Sequence, residues 1–446
     1  MIWRVLRESH QRLCEGMLKY SLGVDCLSAS ARERQDTGKF GERRIMIFDS
    51  ESVFEENVIT VLKQHGWKDG VLRYPTERDL LDNWKDILYR NNNDIDRLGK
   101  YPLTDGEMTQ IIEQIETLRT PLALNSFVNG RTVSITRDNK EDVAHFGKEV
   151  SLYIYDRKEI AGGKSTYQIV QQPVYPAKNT MLNSRRGDLV LLINGMPLIH
   201  IELKKSGIPV SQATNQIEKY AHEGVFTGLF RLVQIFVAMT PDDAVYFANP
   251  GADKFNPSYY FHWADYNNEP ICGGQHPGKD EWKLFIGGTS GTAGLLSIPM
   301  AHQLIGFYTI ADSADGCLKV LRSYQYLAAN AISDVVRKCD WEQRPATPGR
   351  PGGYVWHTTG SGKTMTSFKS AQLIADSHDA DKVVFLMDRI ELGTQSLKEY
   401  RSFADSETEV QGTENTGVLR DKLNSTDVND TLIVTSIQKM SNVKAC

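Results

Sequence analysis

A glycine-rich segment near residue 360 constrains the fold more than any other feature of the sequence. The segment His357–Thr364 reads HTTGSGKT; the apolar run Gly353–Trp356 before it predicts a strand, and Met365 to about Ala375 predicts a helix. A strand, a glycine-rich turn and a helix in this order are typical of a phosphate-binding loop. Such loops belong to parallel sheets with crossover helices, so the segment predicts an α/β fold.

The positions of this loop suit the phosphates of a nucleotide. Backbone N–H groups at the start of a helix point towards an anion, and six residues would supply them here: Thr359, Gly360, Ser361, Gly362, Lys363 and Thr364. Lys363 would reach the β- and γ-phosphates, and the Thr364 hydroxyl would bind Mg²⁺. His357 stands where the strict form of the loop has its first glycine, and a chance glycine-rich turn is the plain alternative.

Three further segments favour the same kind of domain. Lys382–Asp388 and Thr431–Thr435 predict buried strands that end in polar residues, as at the ligand-binding edge of a parallel sheet. Core strands with solvated ends are the alternative for both. Gln325 lies on a predicted helix before the loop, where it could hydrogen-bond adenine or be an ordinary surface glutamine.

A hairpin earlier in the chain brings charged residues together. Asp188 opens an apolar run, Asn194-Gly195 is typical of two-residue hairpin turns, and the chain returns as a second strand to Lys204. Folding at this turn makes Asp188 and Glu202 cross-strand neighbours. Glu202 and Lys204 are two residues apart and therefore share one face of the strand.

These residues favour metal-dependent cleavage of a phosphodiester. Asp188 and Glu202 offer oxygen ligands for Mg²⁺, which can activate a water molecule that Lys204 would position. Gln216 and Tyr220 lie four residues apart on the following predicted helix, so both could reach DNA phosphate or brace the lysine. An ordinary hairpin that ends in solvated charges is the alternative.

Neighbouring residues extend this candidate site. Glu55 lies on a helix predicted to begin after Asp49 or Ser50, where it could join the metal ligands or be an ordinary surface acid. His200 is predicted to be a packed strand residue rather than a base. The cations that flank the hairpin and could contact the DNA backbone are Arg185, Arg186 and Lys205.

Length and composition exclude several classes of protein. At roughly 150 residues per domain, 446 residues predict two or three domains, and 40% hydrophobic with 24% charged residues is ordinary for a globular chain. No run approaches the roughly 18 apolar residues of a membrane helix, and no signal-peptide core follows Met1, so we expect a cytoplasmic protein. The six cysteines form no C-x-x-C pair, which argues against a disulfide framework or a zinc site. The net charge of −5 excludes a strongly basic coat but not a local basic groove.

The sequence divides into three parts. Residues 1–48 form an irregular N-terminal arm without an assigned role, residues 49–295 form a domain that contains the hairpin, and residues 296–446 form a domain that contains the phosphate loop. The boundary near residue 295 is placed there because residues 250–298 are rich in glycine, proline and asparagine.

Taken in order, these motifs resemble those of the restriction subunit, also called the R or motor/nuclease subunit, of type I restriction–modification enzymes. The resemblance covers about residues 49–446, and its matching positions are Glu55, Asp188, Glu202-Leu203-Lys204, Gln216, Tyr220, Gln325, Gly353–Thr364, Asp388-Arg389, Gln395 and Thr435–Lys439. It implies a restriction-endonuclease-like PD-(D/E)xK domain followed by the first RecA-like P-loop NTPase lobe of a superfamily 2 helicase.

The resemblance also implies an activity, cofactors and partners. Family members couple Mg²⁺-dependent cleavage of double-stranded DNA to ATP-dependent translocation, in a complex with methyltransferase (M) and specificity (S) subunits. Two other functions stay open: a helicase or ATPase whose N-terminal domain only grips DNA, and a non-catalytic remnant that only docks to methyltransferase subunits. The sequence stops at Cys446, before the family's Asp-Glu motif and second lobe. We therefore expect a truncated chain that binds ATP weakly and hydrolyses it negligibly.

Overall fold

The structure, a computed structural model, describes residues 3–6, 47–160, 162–176, 185–252, 254–273, 280–338, 353–387, 390–404 and 409–443. Most of the predicted N-terminal arm, residues 1–48, lies outside the described residues, as do Asp388 and Arg389.

Helices and strands both occur throughout the described chain, and they alternate one by one from Lys363 onward. The strands are β1 (Trp3–Leu6), β2 (Val71–Arg73), β3 (Thr132–Thr136), β4 (Glu149–Tyr153), β5 (Tyr167–Gln171), β6 (Leu189–Ile193), β7 (Met196–Leu203), β8 (Ile235–Met239), β9 (Ala244–Ala248), β10 (Thr309–Asp312), β11 (Cys317–Val320), β12 (Lys382–Met387), β13 (Val410–Gly412) and β14 (Leu432–Ser436). The α-helices are α1 (Glu51–Gln64), α2 (Glu77–Asn91), α3 (Asp105–Thr117), α4 (Pro121–Asn129), α5 (Ser211–His222), α6 (Glu281–Gly287), α7 (Met300–Gly306), α8 (Ser323–Lys338), α9 (Lys363–Ser377), α10 (Ile390–Phe403), α11 (Thr416–Asn424) and α12 (Ile437–Ser441).

The first domain is built on a six-stranded mixed sheet with the order β2-β5-β6-β7-β8-β9. The pairs β2–β5 and β7–β8 are parallel, and the other three pairs are antiparallel. Strands β6, β7 and β8 are buried along their whole length. Because both faces of these strands are covered, their sequences are almost continuously apolar. A charged residue within such a strand is therefore unusual.

Two hydrophobic clusters cover the two faces of this sheet. On β8, Val237 packs into the large cluster that also contains residues of α1, whereas its neighbours Phe236 and Ala238 pack into a smaller cluster under α5. On β7, Ile201 and Leu203 also belong to the large cluster.

The sequence-based elements of this domain are largely confirmed. Helix α1 begins after Ser50, whose hydroxyl accepts a hydrogen bond from the N–H of Val53 at 3.3 Å. Sequence pattern predicts a strand over Trp67–Arg73, but the strand occupies only Val71–Arg73. Trp67 instead closes the end of α1: its backbone N–H donates to the Leu62 carbonyl at 3.2 Å.

The second domain contains a four-stranded sheet with the order β1-β12-β14-β13. Strands β12, β13 and β14 run parallel, which confirms the predicted parallel sheet, and β1 pairs with β12 antiparallel. The strand predicted for Gly353–Trp356 is wrong, because this segment has no regular secondary structure and Trp356 is 89% exposed. The edge of β12 that does not face β14 is paired with β1 instead.

The segment after residue 295 packs on the first domain. Leu296, Leu304, Ile310 and Leu321 all belong to its large hydrophobic cluster. The antiparallel pair β10–β11 therefore extends this core towards α8. The domain boundary near residue 295 stays a prediction, and the packing favours a position after Leu321.

Candidate active site and phosphate loop

The predicted hairpin forms between β6 and β7. Its turn residues Asn194 and Gly195 have φ angles of 53° and 83°, the left-handed conformation of the turns that close two-residue hairpins. A Cβ atom on Gly195 would lie 2.9 Å from the Cα atom of Trp84, so only glycine fits. Leu189 pairs with Ile201, so Asp188 and Glu202 follow as the next neighbours at the open end of the hairpin. A bulge between Leu191 and Leu192 shifts the pairing by one residue from the register that the turn alone would give. The prediction that Asp188 and Glu202 are cross-strand neighbours is confirmed.

Glu202 is fully buried, and Asp188 is partly buried. The backbone N–H of Leu203 donates to Asp188 Oδ2 at 2.7 Å, whereas neither carboxylate oxygen of Glu202 has a hydrogen-bond partner among the described residues. Burial, followed by the charge of Glu202, raises the pKa of Asp188, and burial likewise raises the pKa of Glu202. The alternative of solvated charges at the hairpin end is therefore wrong for these two acids.

Lys204 supplies a cation beside the pair. Its Nζ lies 3.6 Å from Glu202 Oε1 and 3.6 Å from Glu51 Oε1, and donates to the Leu203 carbonyl at 2.8 Å. Glu202 and Lys204 thus share one face of β7, as predicted. The side chain of Lys204 remains 11% exposed, so its ammonium group stands between the buried carboxylates and solvent.

The two acids fit a hard divalent cation. An ionised carboxylate that is buried without a donor is costly, and the unpaired oxygens of Glu202 are the kind of group that a metal ion satisfies. The described part of the chain contains no cluster of three His, Cys, Asp or Glu residues with metal-binding geometry. Mg²⁺ commonly binds one or two carboxylates and keeps several waters, so Asp188 and Glu202 suffice.

Glu55 lies next to this pair on α1, with a buried side chain. Gln171 Nε2 donates to its Oε1 at 2.5 Å, and Gln172 Nε2 donates to its Oε2 at 3.2 Å. Burial raises the pKa of Glu55, and the charge of Asp188 raises it further. Its role as a metal ligand stays a prediction. The two glutamines were missed by the sequence analysis, which had only the segment TYQIVQQ to go on.

Gln216 and Tyr220 share one face of α5, as predicted. Gln216 Nε2 donates to the Tyr220 hydroxyl at 2.7 Å, and that hydroxyl donates to the Arg186 carbonyl at 2.8 Å. The pair therefore holds the backbone just before Asp188 in place. The contacts predicted for this pair with DNA phosphate or Lys204 stay predictions.

The flanking cations differ in their environments. Arg185 makes two hydrogen bonds of 2.9 Å to the carboxylate of Glu223, and Lys205 Nζ lies 3.4 Å from the Asp49 carbonyl oxygen. Arg186 is exposed. His200 is fully buried, which agrees with the prediction of a packed strand residue, and burial lowers its pKa to about 4.

The phosphate loop turns into α9 as predicted. Gly360 and Gly362 both have φ of 78°, and Lys363 is the first residue of the helix. Lys363 Nζ donates to the Thr358 carbonyl at 3.0 Å, so its side chain folds back over the loop. The Ser361 hydroxyl also donates to this carbonyl, at 2.8 Å. The roles predicted for Thr359 and Thr364 stay predictions.

Gln325 holds the phosphate loop against α8. Its Nε2 donates to the Gly362 carbonyl at 3.3 Å, and its Oε1 accepts from the backbone N–H of Arg322 at 3.0 Å. The hydroxyl of Tyr324, which the sequence analysis did not single out, donates to the Ser361 carbonyl at 2.8 Å. Gln325 is buried, so it is not an ordinary surface glutamine, and its contact with adenine stays a prediction.

Two parts of the chain match models of known protein families. Residues 49–255 match the family model described as the type I restriction enzyme R protein N terminus, and residues 324–445 match the SWI2/SNF2 ATPase model. The chain is 32% identical over 402 residues to the type I restriction enzyme SsaAORF53P endonuclease subunit of Staphylococcus saprophyticus, covering 89% of this chain and 37% of that protein. It is 30% identical over 217 residues to the EcoprrI endonuclease subunit of Escherichia coli, covering 47% of this chain and 62% of that protein.

The chain thus spans 37% of the length of relatives such as the staphylococcal subunit. Among the helices that the structure describes, none is both long and apolar enough to cross a membrane.

Proposed function

Because this chain belongs to the family of type I restriction enzyme R subunits, we propose that its hairpin site performs Mg²⁺-dependent endonucleolytic cleavage of double-stranded DNA. Residues 49–295 would form the PD-(D/E)xK nuclease domain. The observation that carries the proposal is the placement of Asp188, Glu202 and Lys204 at one hairpin end, where neither oxygen of Glu202 has a hydrogen bond among the described residues.

Each residue of this site has a role in the proposed reaction. Asp188 and Glu202 would hold Mg²⁺, which supplies charge for the phosphate and lowers the pKa of water. Asp188 is oriented by the backbone N–H of Leu203, and Lys204 offers an ammonium group that can orient the attacking water and neutralise charge on the phosphodiester. Tyr220 would keep the backbone before Asp188 in place.

The second domain would bind ATP with Mg²⁺ as the first RecA-like lobe of a superfamily 2 motor. The conformation of the loop supports this proposal, because Gly360 and Gly362 are left-handed and the loop residues lead into the N-terminus of α9. Lys363 would leave the Thr358 carbonyl to reach the phosphates, and Thr364 would bind Mg²⁺. In a complete subunit this lobe would contribute to translocation of DNA, in a complex with M and S subunits.

DNA cleavage by a complete subunit that contains these residues, assembled with M and S subunits, tests the nuclease proposal. Glu202→Ala and Asp188→Ala should abolish Mg²⁺-dependent cleavage and leave DNA-stimulated ATP hydrolysis intact, because each removes a metal ligand. Asp82→Ala is the matched control, since Asp82 is an exposed acid paired only with Arg78 in the described structure. Cleavage at the unaltered rate in Glu202→Ala would sink the assignment of the hairpin as the nuclease site. Absence of cleavage by the unaltered complex, with DNA binding retained, would favour a domain that only grips DNA.

A further inference from the structure

A buried tyrosine–histidine pair lies directly behind the carboxylates of the hairpin. His200, Glu202 and Lys204 alternate along β7 and share one face. His200 Nδ1 lies 2.9 Å from the hydroxyl of Tyr175, and His200 Nε2 lies 3.3 Å from Glu202 Oε2. The imidazole therefore bridges the space between Tyr175 and one oxygen of a proposed metal ligand.

The Tyr175 hydroxyl determines which nitrogen of His200 carries the proton. Tyr175 is buried, and His200 Nδ1 is the hydrogen-bond acceptor that the described structure offers its hydroxyl. If Nδ1 carried the proton, the tyrosine O–H would be left without an acceptor, which is unfavourable in the interior. A doubly protonated imidazole is disfavoured by complete burial. The proton therefore lies on Nε2, the nitrogen that faces Glu202.

Packing restricts the orientation of this imidazole ring. The rings of Phe226 and Phe236 lie 5.4 and 6.0 Å from it, centroid to centroid. A Cβ atom on Gly187 would lie 2.6 Å from the Tyr175 hydroxyl and 3.0 Å from His200 Cε1, so the pair packs directly against the residue before Asp188. Packing thus keeps the Nε2–H of His200 directed towards the carboxylates. Nε2 lies 3.3 Å from Glu202 Oε2, but the two groups are not aligned for a hydrogen bond.

We propose that His200 and Tyr175 are positioning residues for the metal ligand Glu202. When Glu202 gives one oxygen to Mg²⁺, the Nε2–H of His200 holds the other oxygen, and Tyr175 keeps His200 in the required tautomer. Groups that hydrogen-bond to a metal ligand in this way typically change metal affinity by roughly 10- to 100-fold. The proposal rests on the nuclease function proposed above.

The molecule contains a matched control pair. The hydroxyl of Tyr167 lies 2.9 Å from His302 Nδ1, and His302 Nε2 lies 3.0 Å from the Asp156 carbonyl oxygen. Like His200, His302 is fully buried between a tyrosine and an oxygen acceptor. It contacts neither carboxylate of the hairpin in the described structure, so its replacement reports the cost of removing a buried histidine alone.

Calorimetric titration of the 446-residue chain with Mg²⁺ tests the proposal. His200→Leu should weaken Mg²⁺ binding about 10-fold or more. His200→Gln, which places an amide N–H near the position of Nε2, should restore most of the affinity, and Tyr175→Phe should weaken binding by a smaller factor. His302→Leu should lower the unfolding temperature but leave Mg²⁺ binding unchanged.

Two results would overturn the positioning role: unchanged Mg²⁺ affinity in His200→Leu, or an equal loss of affinity in His302→Leu. If His200→Leu does not fold, unchanged affinity in the nearly isosteric Tyr175→Phe variant decides against the role instead. A failure of the nuclease proposal looks different, because Glu202→Ala would then bind Mg²⁺ as tightly as the unaltered chain.

Discussion

Replacing Glu202 by glutamine should stabilise the metal-free protein while it removes the proposed nuclease activity. Burial raises the pKa of Glu202 from 4.5 to about 8, because the ionised carboxylate loses its hydration and neither oxygen has a donor in the described structure. A carboxyl group whose pKa is higher in the folded state favours folding below the unfolded-state pKa. That stability is lost as the pH rises towards the folded-state pKa.

The size of the effect follows from this shift. Between pH 4.5 and pH 7 the cost amounts to about 1.4 kcal/mol per pH unit, or about 3 kcal/mol in all. The pKa of about 8 already includes the attraction of Lys204, whose Nζ lies 3.6 Å from Glu202 Oε1, so this ion pair calls for no further discount. Glutamine has the same shape and no charge, and it should recover most of this energy. For a domain of roughly 200 residues that corresponds to roughly 6–12 °C in unfolding temperature at most.

Thermal unfolding of the unaltered chain and of Glu202→Gln, in EDTA at pH 5 and pH 8, measures this effect. The two proteins should unfold at similar temperatures at pH 5, and the variant should be more stable at pH 8. Glu218→Gln, a change at a half-exposed acid on α5, should have no such pH dependence. Mg²⁺ should stabilise the unaltered protein more than the variant. Equal stability of the two proteins at pH 8 would refute the reasoning that burial of this carboxylate is costly.

Three other changes have definite expected outcomes. Tyr220→Phe removes the hydrogen bond to the Arg186 carbonyl and should lower the free energy of unfolding by about 1 kcal/mol. The variant should slow DNA cleavage less than Asp188→Ala does. An equal loss of cleavage would give the Tyr220 hydroxyl a direct catalytic role. Arg137→Leu removes the buried cation that pairs with the carboxylates of Glu107 and Asp142 and should lower the free energy of unfolding by about 3–5 kcal/mol in a denaturant titration; a loss below 1 kcal/mol would contradict this. Lys363→Ala should abolish calorimetric binding of Mg²⁺-ATP by the chain, and retained binding would argue against the phosphate loop as the nucleotide site.

The sequence by itself predicted the parts of the molecule that depend on neighbours along the chain. The Asn194-Gly195 turn pairs β6 with β7 to within one residue of the register that brings Asp188 beside Glu202, and a bulge between Leu191 and Leu192 shifts the pairing by that residue. Helical spacing likewise placed Gln216 beside Tyr220. These relations need only one turn or one helix to form, so local backbone preference and periodicity are enough to predict them.

Tertiary structure decided every contact between segments that are distant in the sequence. No local pattern indicates that Gln171 and Gln172 bind Glu55, or that Tyr220 holds the Arg186 carbonyl. Pairing of β1 with β12 left the segment predicted as a strand, Gly353–Trp356, without a partner. A residue's propensity is the same wherever it lies. Its partner, its burial and thus its pKa depend on which elements pack together, and only the folded chain determines that packing.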